Sequence, residues 1–223
     1  MEILKIDQID FNLIDYSETY SSNAKYCHHV RYNKKEFFLK TPPMRIDTLF
    51  VKKKIIEIGL EISVELDNFF KELDNKLVND FKEENGYKVF KVTTKKMLLE
   101  SGVYSRGLKL KLPNTENFKT LIYNKNKEII DSSELKINSY IRIGLELSSV
   151  WCNQNGVFGL YLKPHQIKLE SNKNCHIDNY NNDYRLDEIV ELNKSNNLVL
   201  ESTLDTVIND FNNTEYTSSA SDY

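Results

Sequence analysis

Between Ile56 and Leu66 the chain alternates strictly. Ile56, Ile58, Leu60, Ile62, Val64 and Leu66 are apolar, and Glu57, Gly59, Glu61, Ser63 and Glu65 separate them. A period of two puts the apolar side chains on one face of a strand and the acids on the other, a pattern no helix can use. The period returns in Leu108, Leu110 and Leu112 against Lys109 and Lys111, and in Ile141, Ile143, Leu145 and Leu147 against Arg142, Gly144, Glu146 and Ser148. It returns again in Phe158, Leu160 and Leu162 against Val157, Gly159, Tyr161 and Lys163, after the turn sequence Asn153-Gln154-Asn155-Gly156. The last two runs read as a hairpin. If its phase is unbroken, Trp151 joins Ile143, Leu145 and Leu147 in the core, as does Phe158. Further strands are expected over 24–32, 37–40, 45–51, 87–92 and 118–123. Ile58-Gly59-Leu60-Glu61-Ile62-Ser63 and Ile143-Gly144-Leu145-Glu146-Leu147-Ser148 echo one another as similar strand chemistry, not as a duplicated domain.

One segment breaks the period of two. Phe70, Leu73, Leu77 and Phe81 recur at steps of three and four, with Asp67 as the expected cap and Asn85-Gly86 as the stop. Strands around a single helix predict a mainly β chain: an OB-like antiparallel barrel with extra strands and one helical insertion, followed by an acidic flexible C-terminal tail. A β-sandwich fits the same strand list. The expected division is a nucleic-acid-binding domain over 1–170, then an Asn-rich linker and acidic tail over 171–223. Within the tail, Leu200, Leu204, Val207, Ile208 and Phe211 fall at helical spacing.

Charge is strongly segregated. The net charge of the 223 residues is -3. Counting along the sequence, residues 1–20 hold one base and five acids, 21–170 hold 26 bases and 18 acids, and 171–223 hold three bases and ten acids. The body is therefore at +8 and the tail at -7. Phosphate neutralisation supplies most nucleic-acid affinity, so the body's charge is the relevant quantity. An acidic tail can compete for the same basic surface or recruit basic partners. No apolar run approaches the 18 or so residues of a membrane-spanning helix, and the N-terminus has no secretory pattern. Three well-separated cysteines, Cys27, Cys152 and Cys175, argue against a disulfide framework and for a reducing compartment.

Catalytic patterns are missing: no Gly-rich phosphate loop, no Gly-x-Ser-x-Gly elbow, no His-Glu-x-x-His. His28 and His29 on one strand would point to opposite faces, and no closely spaced Cys or His pair offers a zinc site. The expectation is no enzyme, no metal and no cofactor. What the sequence does offer is cations interleaved with aromatic rings on the polar faces of strands, the arrangement that lets bases stack while Lys and Arg follow the backbone. The candidate nucleic-acid-binding residues are Tyr104, Arg106, Lys109, Lys111, Tyr123, Tyr140, Arg142, Tyr161 and Lys163. Lys34-Lys35, Lys52-Lys53-Lys54 and Lys95-Lys96 add charge in presumed loops.

Two stretches carry a resemblance. Phe38-Leu39-Lys40-Thr41-Pro42-Pro43-Met44-Arg45-Ile46 is similar to the Thr-Pro-x-Met/Leu-Arg/Lys segment of small proteins of large nucleocytoplasmic DNA viruses. Trp151-Cys152-Asn153-Gln154-Asn155-Gly156-Val157-Phe158-Gly159 resembles their late strand–turn–strand, with Trp before the turn and Gly after it. The resemblance spans roughly residues 30–170. It implies an OB-fold, non-catalytic single-stranded DNA-binding protein acting in viral DNA replication, recombination or repair. It places such a protein in the host cytoplasm at the viral replication site, in the virion or in the nucleus. The tail ending Asp222-Tyr223 resembles those of bacterial and phage single-stranded DNA-binding proteins, which implies replication proteins as partners. A homo-oligomer is compatible with this reading, and a virion or assembly scaffold binding other proteins through the β-domain and tail is the alternative.

Overall fold

The alternating segments find one another edge to edge. In the computed structural model, which describes residues 3–22, 25–51, 55–82, 86–99, 104–113 and 118–170, strands dominate and one α-helix interrupts them. The first half holds β1 (Ile3–Leu4), β2 (Ile14–Tyr16), β3 (Tyr20–Ser22), β4 (Lys25–Tyr32), β5 (Lys35–Glu36), β6 (Phe38–Lys40), β7 (Met44–Val51) and β8 (Ile55–Glu61). After helix α1 (Val64–Phe81) come β9 (Val89–Lys91), β10 (Lys95–Leu98), β11 (Tyr104–Pro113), β12 (Leu121–Tyr123), β13 (Tyr140–Cys152) and β14 (Val157–Leu169). The expected linker, tail helix and acidic tail lie outside the described residues.

β7 pairs antiparallel with β8, and β8 with β11. On its other side β7 meets β13, and β6 continues along β13 beyond it. β13 and β14 form the expected hairpin. β14 then contacts β11 and pairs in parallel with β12, the strand that follows β11. With β6–β7 taken as the first strand of the barrel and β8, β11, β13 and β14 as the next four, the cyclic order is first, second, third, fifth, fourth and back to first. That is the Greek-key closure of an OB barrel. Ile46, Ile58, Leu60, Leu108, Ile141, Ile143, Leu145 and Ile167 fill its interior at 3% exposure or less. β4, flanked by β2, β3 and β5, extends the sheet along the far half of β13, while β9 joins β14 and β10 forms an edge beside β11.

Thr41-Pro42-Pro43 makes the corner between β6 and β7. The Thr41 N–H donates to the Ile143 carbonyl at 3.0 Å and its Oγ1 accepts from the Ile143 N–H at 2.9 Å. The two prolines, which have no N–H to offer, stand where the ladder has already ended.

Three expectations are corrected. The alternation through Val64 and Leu66 does not extend the strand, because β8 ends at Glu61 and the helix starts at Val64. Ser63 is the cap, its Oγ accepting from the Leu66 N–H at 3.2 Å, and Asp67 lies inside the first turn. The helical period, Leu66, Phe69, Phe70, Leu73, Leu77 and Phe81, all buried, overlaps the end of the period of two and wins. Trp151 is not in the phase of Leu147. A register shift between Leu147 and Ser149 turns the strand over, so that Val150 and Cys152 are buried and Trp151 is half-buried.

Candidate nucleic-acid interface

Register decides which side chains share the outer surface of the barrel. Ile56, Ile58 and Leu60 point inward, so Glu57, Gly59 and Glu61 point outward. Strand pairing then sets Phe50, Glu57 and Lys111 in one row, and Thr48, Gly59 and Lys109 in the next. A third row holds Arg45, Glu61, Gly107 and Lys95. Arg45 lies opposite Tyr140, whose carbonyl accepts from the Glu170 N–H at 2.8 Å. Two residues further along β13, Arg142 lies opposite Lys168, and Lys40 of β6 sits opposite Gly144. The band is unbroken from β11 across β8, β7 and β13 to β14. Four interstrand steps of about 4.8 Å make it roughly 19 Å across.

Seven cations stand on this band, Lys40, Arg45, Lys95, Lys109, Lys111, Arg142 and Lys168, against the carboxylates Glu57, Glu61 and Glu170, with Asp47 also 3.8 Å from Arg45. Arg45 Nε donates to Glu61 Oε2 at 2.7 Å, a bond that raises the guanidinium above its ordinary range. Lys111 Nζ is 3.8 Å from Glu57, and Arg142 and Lys168 share Glu170. Lys109 and Lys95 are exposed, and no acid among the described residues holds either. Phe50, 57% exposed, is the exposed ring of the band among the described residues, and it comes two residues before the Lys52-Lys53-Lys54 run, which lies outside the described residues. Met97 lies down over Gly107, where a Cβ would collide with the thioether. A neutral strip of Thr48 and Met97 thus runs between the cations.

The sequence-predicted residues divide. Lys109 and Lys111 are on the band at one end, and Tyr140, half-buried, and Arg142 are toward the other. Tyr104 opens β11 opposite Leu98. Arg106 belongs to the opposite phase of β11 and reaches the helix, Nε donating to Asp67 Oδ2 at 3.1 Å. Asp67 is a junction, since it also accepts from Thr94 Oγ1 at 2.7 Å and pairs with Lys71. Burial alone would raise its carboxyl, but the bonds from Lys71, Thr94 and Arg106 bring it below the ordinary range.

Tyr123 and Tyr161 correct the expectation of solvent-facing rings. Both are buried, and burial pushes their hydroxyls up, so neither offers a stacking face to the surface. Tyr161 sits opposite Ser149, past the β13 register shift that the alternation did not foresee. Lys163 lies opposite Glu146, two residues beyond Gly144 on the same face of β13. It covers the Phe118 ring at 4.3 Å and approaches Glu146 at 3.7 Å, while Glu146 bonds His165 Nε2 at 2.5 Å. Burial would raise Glu146, but His165, Lys163 and Ser148 bring it down from 4.5 to about 2.

Phe50, Arg45, Lys40, Met97 and Lys168 were missed, and Lys95, expected in a loop, stands on the edge strand β10. Simple alternation puts Phe50 with the buried Ile46. A second register shift, between Ile46 and Thr48, rotates it outward instead. His28 and His29 do face opposite ways on β4, His28 packing on Phe81 and the exposed His29 stacking on Tyr20. Among the described residues no cluster of three His, Cys, Asp or Glu could hold a metal ion, and no helix is long and apolar enough to cross a membrane.

No family model and no curated protein matches the sequence. Among solved structures, the chain is similar to a single-stranded DNA-binding protein from bacteriophage Enc34 in a C-terminal truncation, with a TM-score of 0.41 and 10% identity over 73% of this chain and 98% of that one. It is also similar to gp2.5, a single-stranded DNA-binding protein encoded by bacteriophage T7, with a TM-score of 0.37 and 9% identity over 59% of this chain and 90% of that one. Likenesses at these TM-scores decide neither fold nor function. The fold rests on strand order and the functional reading on the outer band.

Proposed function

We propose that this chain is a non-catalytic single-stranded DNA-binding protein that lays the strand across the outer band from β11 to β14. The observation that carries the reading is the band itself, where cations from six strands share one continuous surface with the exposed ring of Phe50. Cations along a groove follow the phosphates without regard to sequence, and a flat ring accepts any base. The second and third strands of an OB barrel, here β8 and β11, are the face this architecture uses for oligonucleotides. Viral DNA replication, recombination or repair is the process that fits, in the host cytoplasm, virion or nucleus, with the acidic tail contacting replication proteins.

The scaffold alternative draws on Leu98 and Val92, both exposed near the β10 edge. Lys95 and Lys96 stand on that same edge strand, and edge lysines oppose the addition of a further strand. The deciding experiment is a fluorescence-anisotropy titration of the full chain against labelled oligo(dT), a duplex of equal length and the matching RNA, at two salt concentrations. Salt-dependent binding that favours oligo(dT) over the duplex supports the reading. No binding at low salt overturns it.

A further inference from the structure

The face that carries the band runs on past Arg142 and Lys168. β13 and β14 stay paired as far as Cys152 and Phe158, and one side of this hairpin belongs to the buried core throughout, through Leu145, Leu147, Val150, Cys152 and Phe158. The other side therefore continues the outer face, from Gly144 and Gln166 through Glu146 and Lys163 to Ser149 and Tyr161, and then to Trp151 and Gly159. β4 widens it, with His29 opposite Ser149 and Cys27 opposite Trp151, and β3 adds Tyr20 opposite Cys27. On the other flank Gly159 lies opposite Lys91 of β9.

The row so formed reads Tyr20, Cys27, Trp151, Gly159 and Lys91, large residues alternating with small ones across five strands. The small ones give the rings room to lie against the sheet. Cys27 is fully buried, and a Cβ on Gly159 would stand 3.3 Å from Trp151 Cζ2. Trp151 and Tyr20 are half-buried. His29, one row nearer the band, is exposed and stacks on Tyr20, with centroids 4.5 Å apart and planes 19° from parallel. Helix α1 packs on the opposite side of β4, where Phe81 meets His28. At about 3.4 Å a residue, and leaving out the bulged position, the His29 row is roughly 20 Å and the Trp151 row roughly 27 Å along β13 from Arg142. Glu146, the acid of β13 on this path, is answered by His165 and Lys163.

We propose that His29 and Trp151 form a second base-stacking station, and that a single strand leaving the band at β14 continues along the outer face of the hairpin to reach it. The inference rests on the DNA-binding reading and lengthens the path that reading assigns. Continuity and chemistry together name the occupant. The rings share one unbroken face with Arg142 and Lys168. The parallel stack of His29 on Tyr20 is the kind of contact that a base extends, whatever its identity, because every base has a π-face. The band then holds mainly phosphates, and the hairpin holds bases.

Trp151 is the chain's one tryptophan, so its emission reports on the station by itself. Full-length wild type is titrated with oligo(dT) of about 20 nucleotides, longer than the roughly 4–16 that one OB barrel occupies. Tryptophan emission should be quenched with the same midpoint as the anisotropy. An abasic strand of equal length keeps the phosphates and lacks the bases; it should bind at low salt and leave the emission unchanged. His29→Ala should weaken oligo(dT) binding about 5- to 160-fold at every salt concentration, the loss of one stacked base. His29→Phe keeps a flat ring and should bind close to wild type. Constant emission through an oligo(dT) titration that anisotropy shows to be complete, with His29→Ala binding as tightly as wild type, overturns the station. Equal quenching by the abasic strand overturns it as well. In either case, weaker oligo(dT) binding by Lys109→Ala and Phe50→Ala leaves the DNA-binding reading standing. Failure of wild type to bind oligo(dT) at low salt overturns both.

Discussion

Lys109 and Phe50 sit within two rows of one another on the same face, yet they should fail in different ways when removed. A cation that meets a phosphate acts through counterion release, which for single strands contributes about 0.7 to the slope of log affinity against log salt. With all seven band cations engaged the slope is about -5, and raising salt fourfold from 0.05 to 0.2 M weakens binding about 900-fold. Arg45, Lys111, Arg142 and Lys168 already face Glu57, Glu61 or Glu170, so -5 is a ceiling. Lys95 and Lys109 alone would set a floor of about -1.4. Wherever the wild type falls in that window, Lys109→Ala should flatten its slope by about 0.7, changing the fourfold-salt penalty by a factor of about 2.6. Phe50→Ala removes a stacking face and no charge. It should cost about 1–3 kcal/mol, or about 5- to 160-fold, as a parallel line displaced downward at every salt concentration. Anisotropy titrations at four or five salt concentrations separate the two outcomes. A Lys109→Ala line parallel to wild type, or a Phe50→Ala line lying on top of it, refutes the assignment of that residue to the strand's path.

Other consequences can be measured independently. Deleting residues 171–223 should tighten oligo(dT) binding, most at low salt, because ten acids that attract the basic body are removed with only three bases; equal affinity in the deletion counts against competition by the tail. Leu73→Ala should cost about 2–5 kcal/mol in urea denaturation, since that side chain is fully buried in the helix face that packs on the barrel. Glu146 has a folded-state carboxyl depressed from 4.5 to about 2, so its contribution to stability is complete above pH 4.5 and is lost as pH falls toward 2. Denaturation midpoints at pH 5, 3.5 and 2.5 should therefore fall less steeply in Glu146→Gln than in wild type, and identical pH dependence would contradict the depressed value.

The regular parts of the barrel could be read from alternation alone. Ile56 to Leu60, Leu108 to Leu112 and Ile141 to Leu147 each bury the predicted face, because a one-residue slip would turn every apolar side chain to water. Legibility stopped at two of the three register shifts. One extra residue after Ile46 carries Phe50 to the surface, and another after Leu147 changes what Trp151 and Tyr161 face. A bulge leaves no mark in a hydrophobicity pattern until the partner strand is known. Lys109, Lys111 and Arg142 were legible as outward-facing cations because unbroken alternation reaches them. Lys40 and Lys168 were not, since their relation to Arg142 depends on strands far apart in sequence lying side by side.

The Asp67 junction has a further consequence. One carboxylate joins a helical turn through Lys71, the β9–β10 connection through Thr94 and the third barrel strand through Arg106, while Asp74, about two turns along the same helix face, holds Thr93 by its N–H and hydroxyl. The outermost ribbon of the sheet, and with it Met97, is therefore tethered by side chains from behind and by a ladder along one side only. Its amides should share the exchange protection of the helix rather than fray as a lone edge. Neutralising Asp67 would then be felt as loosened footing beneath the outer band, from a residue that is not itself on it.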